Sequence, residues 1–112
     1  MRRYNKLLAG ASWMGEYGDP DKPEEWSYLS KHAPYQNVKR GGKYPRILFT
    51  TSTRDDRVHP SHARKLFAKM KDQGHDVLYY KNTEGGHAGA ANNEQRAKIV
   101  AMEYTFLWKM LK

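Results

Sequence analysis

Two short polar segments contain the side chains best suited to acid–base chemistry. Asp55, Asp56 and Arg57 follow one apolar run, and His87 lies in a glycine-rich segment after a second run. A histidine with a pKa near neutrality can take a proton from a serine hydroxyl, and a carboxylate can fix the ring tautomer and stabilise the imidazolium. On spacing alone two plainer alternatives stay open: a buried or surface histidine in a flexible loop, and an aspartate turn that only caps a helix.

The elements that must position these side chains are a strand, a helix and a second strand. A β-branched run over residues 46–52 predicts the first strand, and residues 76–80 predict the second. Between them Pro60 opens a helix that ends near Gly74, and its apolar face carries Ala63, Leu66, Phe67 and Met70. This order favours parallel strands, whose carboxyl ends meet at one sheet edge, so the acid and the histidine are expected there together.

The rest of the chain frames this unit. Residues 1–22 predict a loop-rich start with room for one short helical turn, and Pro23 starts a helix that Pro34 terminates. Residues 35–45 predict a loop. A final helix runs from about Asn92 to the end, with Ile99, Met102, Phe106 and Met110 on one face. The predicted class is α/β with an incomplete parallel sheet, because two strands make a poor sheet alone.

Composition excludes several classes of function. The chain has 112 residues, which is enough for one small domain, and it has no cysteine, which excludes disulfides, thiolate catalysis and cysteine zinc sites. Its apolar runs are too short to cross a membrane. The net charge of +8 suggests nucleic acid, but the basic residues are scattered among acids, so we prefer a solvated basic surface and expect no nucleic-acid partner.

A metal site is also considered and rejected at this level. His59 and His62 are three residues apart and could join Asp55 and Asp56 around a metal ion. No further ligand is convincingly spaced, and His59 precedes the proline that starts a helix. An exposed histidine pair is the better interpretation, and no metal or other cofactor is expected.

Longer segments add a resemblance to a known family. Residues 44–65, which include the Thr-Arg-Asp-Asp-Arg-Val-His-Pro stretch, and residues 82–89, Asn-Thr-Glu-Gly-Gly-His-Ala-Gly, resemble the two catalytic loops of prolyl oligopeptidases. Residues 6–20 and 30–38 are similar to the stretch that follows the nucleophile region in that family. The resemblance implies a partial α/β-hydrolase fold, namely the C-terminal strands and helices of a mostly parallel sheet.

The resemblance also implies roles for individual residues. Asp55 would be the acid of a Ser-Asp-His triad and His87 its general base. Arg57 matches an arginine that binds a substrate backbone carbonyl, although a salt bridge to Asp55 or Asp56 is an equal alternative. Asp56 is expected to be a loop or capping residue.

The chain departs from the family in one large respect. The nucleophile elbow has the pattern Gly-x-Ser-x-Gly, and the sequence does not contain it. Its nearest imitation, residues 10–15 around Ser12, has Met14 where the second glycine belongs, so Ser12 is rejected as a nucleophile. Residues 1–112 are therefore expected to be the C-terminal part of a catalytic domain without the elbow or the β-propeller. Because residues 1–4 resemble an internal family sequence, the start is expected to be a truncation or an internal initiation.

The implied activity of the complete enzyme is hydrolysis of short peptides after proline, with a peptide as the substrate. The isolated chain is expected to be inactive, because the serine is missing, and to self-associate or to pair with a nucleophile-bearing segment. The alternative is a non-catalytic α/β domain that associates with itself or a partner through an uncovered sheet edge.

Overall fold

The computed structural model describes all residues from 1 to 112. Five α-helices and two β-strands follow two short 3₁₀ segments at Tyr4–Lys6 and Leu8–Trp13. In chain order the elements are α1 (Met14–Tyr17), α2 (Pro23–His32), α3 (Pro34–Asn37), β1 (Ile47–Ser52), α4 (Ser61–Asp72), β2 (Val77–Asn82) and α5 (Asn93–Leu111). The β–α–β–α order predicted for the second half is confirmed.

Strands β1 and β2 form a parallel two-stranded sheet, as the pattern predicts. Ile47 pairs with Val77 at one end, and Ser52 pairs with Asn82 at the other. Strand β2 continues two residues past its predicted end at Tyr80, because the ladder with β1 extends to Ser52 and favours extended backbone there. Both strands therefore end at the same level, and the loops that follow them leave the same sheet edge.

Helix α4 crosses over between the strands and packs on one sheet face. The ring of Phe67 lies 6.1 Å from that of Phe49 and 5.1 Å from that of Tyr79, measured between centroids. Met70, on the same helix face, is buried. After the helix, Gly74 has a φ of 86°, the left-handed conformation that favours glycine, so the chain turns sharply into β2.

The first half of the chain is more helical than its sequence pattern predicts. Two 3₁₀ segments and α1 occupy the predicted loop-rich start, and α3 occupies the first part of the predicted loop at 35–45. Long-range contacts hold this region: Tyr4 is buried, and its hydroxyl donates to the Gly18 carbonyl at 2.5 Å. At α3 the side-chain amide of Asn37 donates to the Ala33 carbonyl at 2.8 Å. These contacts are tertiary or capping interactions, which apolar periodicity does not report.

The molecule exposes more surface than a compact protein of its mass. Its accessible surface is 7910 Å², whereas a 13.1 kDa monomer is expected to expose about 6400 Å². Its radius of gyration is 15.8 Å, against about 13 Å for a compact domain of this length. Large apolar side chains are exposed on α5, where Tyr104, Trp108 and Leu111 are 68%, 66% and 85% exposed. The fold is therefore a partial α/β arrangement whose last helix lacks a covering layer.

No helix combines the length and the apolar character that crossing a membrane requires.

Candidate active site

Asp55 is held in a tight turn just beyond the end of β1. Its Oδ1 atom accepts hydrogen bonds from the backbone N–H of Arg57 at 2.9 Å and of Val58 at 2.8 Å. A side chain that binds the N–H groups two and three residues later forms an Asx turn, which explains the aspartate at this position. The side chain is only 15% exposed. The carboxylate is thus fixed by its own loop, with Oδ2 free for another partner.

His87 lies in a closed glycine turn just beyond the end of β2. The Gly89 N–H donates to the Gly86 carbonyl at 3.0 Å, which closes a turn with His87 inside it. Gly89 has a φ of 83°, and a Cβ added at Gly85 would lie 2.4 Å from the Gly89 carbonyl oxygen. Glycine is required at both positions, one for backbone conformation and one for space. The turn carries a histidine side chain that is 43% exposed.

The structure brings the two predicted catalytic residues into direct contact. The Nδ1 atom of His87 lies 3.0 Å from Oδ1 and 3.0 Å from Oδ2 of Asp55. An ionised carboxylate only accepts hydrogen bonds, so Nδ1 must carry the proton. In the neutral ring Nε2 is then the basic nitrogen, with its lone pair directed away from Asp55. This is the tautomer that a general base needs.

The surroundings of Asp55 favour its ionised form. Burial acts to raise the pKa of Asp55, but hydrogen bonds from the Val58 N–H, the His87 ring and the Arg57 N–H outweigh it, and the pKa falls below its usual 3.8. Each of these donors stabilises the carboxylate and not the neutral acid. Asp55 therefore carries its negative charge throughout the neutral range, where it can stabilise a histidinium.

A cleft of about 550 Å³ opens beside this pair. Its walls come from the ends of both strands, from the start of α4 and from the first half of α5, with His59, Ala63, Arg96, Ile99 and Glu103 among the lining residues. Its mixed polar and apolar lining and its contact with His87 are features of a substrate cleft.

The two other histidines near the cleft have structural surroundings. The Nδ1 atom of His59 accepts the Ser61 N–H at 3.1 Å and so caps the start of α4. Burial, with the positive charges of the chain's N-terminus and of Lys65, lowers the pKa of His62 below its usual 6.5. The structure contains no cluster of three or more His, Asp or Glu side chains placed to hold a metal ion. His59 and His62 are half-buried, and the expectation of an exposed pair is wrong for both.

The side chains of the remaining predicted residues form no hydrogen bond or ion pair with Asp55 or His87. Arg57 is exposed, forms no ion pair with Asp55 or Asp56 and does not line the cleft, so the salt-bridge alternative is not realised. Asp56 is exposed in the same loop. Ser12 is exposed, donates its hydroxyl to the Ala9 carbonyl at 2.6 Å and does not line the cleft.

Sequence reasoning missed two residues of this site, Ser52 and Asn82. They end β1 and β2 as cross-strand partners, and both are buried. Ser52 lines the cleft, but its Oγ is buried without a hydrogen-bond partner in the protein, so it is inaccessible to a substrate. Asn82 bonds to several groups of the histidine loop. The only sequence signal for either was a small polar residue at the end of an apolar run.

The whole chain matches a known protein family. The sequence model of the prolyl oligopeptidase family matches residues 1–112. The chain is 49% identical over 111 residues to an uncharacterised peptidase of Sinorhizobium fredii, a match that covers 99% of this chain and 15% of that protein. It is 39% identical to the prolyl endopeptidase of Elizabethkingia miricola, over 85% of this chain and 14% of that protein. The chain thus spans about a seventh of the length of these relatives.

Solved structures give the same result for the fold. A structure from an analysis of two prolyl endopeptidases superposes with a TM-score of 0.83 at 35% identity, covering 99% of this chain and 17% of the other. Prolyl oligopeptidase B of Galerina marginata, bound to a 35mer hydrolysis and macrocyclization substrate, gives 0.89 at 28% identity over 99% of this chain and 16% of the other. The partial α/β fold is thus part of an α/β-hydrolase catalytic domain.

Proposed function

This chain belongs to the prolyl oligopeptidase family, and from that premise we propose that it supplies the acid and the base of a serine peptidase. The observation that carries the proposal is the contact of His87 Nδ1 with both carboxylate oxygens of Asp55, at 3.0 Å each. In this assignment Asp55 orients the ring and His87 transfers the proton. The serine comes from a separate, nucleophile-bearing segment.

The proton transfers follow from the tautomer of His87. Nε2 takes the proton of the serine hydroxyl as the oxygen attacks the peptide carbonyl, and the resulting imidazolium is stabilised by Asp55. The imidazolium then donates that proton to the leaving amine, which leaves an acyl-enzyme. Nε2 then takes a proton from water as the water oxygen attacks the acyl carbonyl, and it returns this proton to the serine oxygen as the ester bond breaks and the peptide acid leaves. Asp55 remains ionised throughout, in agreement with its lowered pKa.

The proposed substrates are short peptides cleaved after proline. The relatives named prolyl endopeptidase and prolyl oligopeptidase support this assignment. Arg57 is the proposed contact for a substrate backbone carbonyl, because it is exposed in the loop that carries Asp55 and is not neutralised by an ion pair. A charged donor to a carbonyl oxygen is a strong hydrogen bond, which suits the fixing of a peptide near the cleaved bond.

The proposed partner is a segment that contains the nucleophile elbow. The sequence lacks the Gly-x-Ser-x-Gly pattern, and the cleft serine, Ser52, is inaccessible, so the chain by itself is proposed to be inactive. The excess exposed surface of roughly 1500 Å² is as large as one side of an extensive obligate interface. The exposed apolar face of α5 is where such a segment would pack.

Self-association without catalysis is the second candidate function. The observation in its favour is the exposure of Tyr104, Leu107, Trp108 and Leu111 along α5, since apolar side chains at this density mark an interaction surface. A second copy could cover the same face. A dimer that persists at low micromolar concentration and excludes an elbow-bearing segment would favour this candidate.

The test of the proposed function is labelling with a fluorophosphonate, read by intact mass. The chain is treated alone and after addition of the corresponding elbow-bearing part of the Sinorhizobium fredii peptidase, the relative with 49% identity. We expect no adduct on the chain alone and a stoichiometric adduct on the serine of the added part. His87→Ala should abolish the second adduct, whereas His32→Ala, which removes an exposed histidine on α2, should leave it intact.

Two results would contradict the proposal. An adduct on a serine of this chain, lost in His87→Ala, would show that the nucleophile is present after all. An adduct on the added part that is independent of His87 would show that this histidine is not the base.

A further inference from the structure

We propose that Asn82 is the positioning residue that holds His87 against Asp55, an inference that rests on the proposed role of those two residues as base and acid. Asn82 is the last residue of β2, and it is 7% exposed. Its side chain touches neither His87 nor Asp55 through a hydrogen bond. It acts on the loop that carries the histidine, residues 83–89.

The side chain of Asn82 bonds to both ends of this loop. Its Oδ1 accepts from the Glu84 N–H at 3.0 Å and, more weakly, from the Gly85 N–H at 3.5 Å. Its Nδ2 donates to the Gly89 carbonyl, at the far end of the loop. The orientation of the amide follows from its partners, because the groups near Oδ1 are donors only and those near Nδ2 are oxygens. One side chain therefore closes the loop around His87.

The backbone of Asn82 reaches the other catalytic loop. Its carbonyl accepts the Thr53 N–H at 2.8 Å, and Thr53 is the first residue after β1 on the way to Asp55. Asn82 is also the last cross-strand partner of Ser52. A single buried residue thus forms hydrogen bonds to the start of the loop that carries Asp55 and to both ends of the histidine loop. Their relative placement, and with it the 3.0 Å contact, follows from this connection.

Gln95 of α5 also binds the side-chain amide of Asn82 and restricts its movement. Its Oε1 accepts from Asn82 Nδ2 at 3.3 Å and from the Ala91 N–H at 3.0 Å, and its Nε2 donates to the Glu84 carboxylate. These bonds satisfy the second proton of Nδ2. A buried amide with both its donors and its acceptor engaged is rigid, which is what a positioning residue requires.

The substitution Asn82→Asp distinguishes a positioning role of this residue from a packing role. Asn82→Asp has the same shape and retains the acceptor for Glu84 and Gly85, but it removes both donors and places a carboxylate against the Gly89 carbonyl. The far end of the histidine loop is therefore released while the near end stays bonded. The matched control is Asn37→Asp, which removes amide donors to the Ser30 and Ala33 carbonyls in the first half of the chain.

The experiment is NMR spectroscopy of the ¹⁵N-labelled chain, with the Nδ1–H proton of His87 as the readout. Asp55→Asn identifies this signal by abolishing its downfield position. We expect Asn82→Asp and Asn82→Ala to speed its exchange with water by at least about tenfold, while Asn37→Asp leaves it unchanged. Folded Asn82 variants with an unaltered signal would overturn the proposal.

If both Asn82 variants unfold, a measurement on the unsubstituted chain tests whether the side-chain amide of Asn82 is held rigidly. The Nδ2 protons of Asn82 should exchange at least about tenfold more slowly than those of the exposed Asn93, and equal rates would overturn the proposal. If the unsubstituted chain shows no Nδ1–H signal that depends on Asp55, the acid–base pair itself is absent and the proposed function fails first. If the Nδ1–H signal is present but its exchange rate does not change in the Asn82 variants, only the positioning role of Asn82 is refuted.

Discussion

His87 Nδ1 lies 3.0 Å from each of the two carboxylate oxygens of Asp55, although the residues belong to different loops. The contact exists because β1 and β2 are parallel and end at the same level, at Ser52 and Asn82. Two parallel strands that end at the same level therefore suffice to bring the carboxylate and the imidazole together.

The first prediction concerns the loss of stability at low pH. Because the pKa of Asp55 is lowered on folding, its ionisation stabilises the fold at pH values above its usual 3.8, and this contribution is lost as the pH falls through the lowered value. We expect Asp55→Asn to unfold at a lower temperature than the unsubstituted chain near neutral pH and to approach it as the pH falls from 3.8 through the lowered pKa. Thermal unfolding followed by circular dichroism across this range measures the difference.

Asp56→Asn is the control, since Asp56 is exposed in the same loop. Some acid destabilisation will persist in every variant, because hydrogen bonds to Lys6 and Asn5 lower the pKa of Asp21, and the Asp19 N–H and Lys22 lower that of Glu25. The prediction would be contradicted if the unfolding temperature fell as steeply towards low pH in Asp55→Asn as in the unsubstituted chain.

The second prediction concerns the space inside the histidine loop. A Cβ at Gly85 would lie 2.4 Å from the Gly89 carbonyl oxygen, which is backbone and cannot rotate away. We expect Gly85→Ala to open the loop and to lower the free energy of unfolding by about 1–3 kcal/mol. Fluorophosphonate labelling of the chain combined with the elbow-bearing segment should fall at least about tenfold. Urea denaturation and fluorophosphonate labelling measure the two effects.

Gly41→Ala is the matched control, because a Cβ at Gly41 meets no atom within 4 Å. The explanation by crowding fails if the two alanine variants have equal stability and equal labelling.

The third prediction concerns Arg57. Its side chain is exposed and forms no ion pair, so Arg57→Ala should change the free energy of unfolding by no more than about 0.5 kcal/mol. In the enzyme reconstituted with an elbow-bearing segment, we expect KM for a short proline peptide to rise about tenfold or more, with a smaller change in kcat. Steady-state kinetics with Arg54→Ala, an exposed arginine of the same loop, provide the comparison. A fall in stability with KM unchanged would assign Arg57 a structural role.

The fourth prediction concerns α5. Trp108 is 66% exposed and Leu111 is 85% exposed, so a partner that covers the helix would bury them. We expect Trp108→Asp to weaken association with the elbow-bearing segment by at least about tenfold, measured by isothermal titration calorimetry. Gln36→Asp, an exposed residue of α3, introduces the same charge away from the surface. Identical affinities for both variants would exclude the end of α5 from the interface.

Most of the helices and strands, and the loops that contain Asp55 and His87, were predictable from sequence patterns. Helices α2, α4 and α5 and both strands follow from apolar periodicity, prolines at helix starts and a glycine after α4, all of which are local signals. The first half of the chain was less predictable, since its short helices depend on contacts such as Tyr4 with Gly18. Asp55 and His87 were recognisable because their loops follow parallel strands and resemble those of one family.

The geometry of the site could not be read from the sequence and depends on the folded chain. In the structure both oxygens of Asp55 face Nδ1 of His87, and the Asn82 carbonyl binds the Thr53 N–H at the start of the loop that carries Asp55. The hydroxyl of Ser52 is buried, and Arg57 lies outside the cleft. The physical reason is that each of these facts depends on which atoms meet across the sheet edge. Periodicity and capping act over a few residues, whereas these contacts join segments about 30 residues apart in the chain.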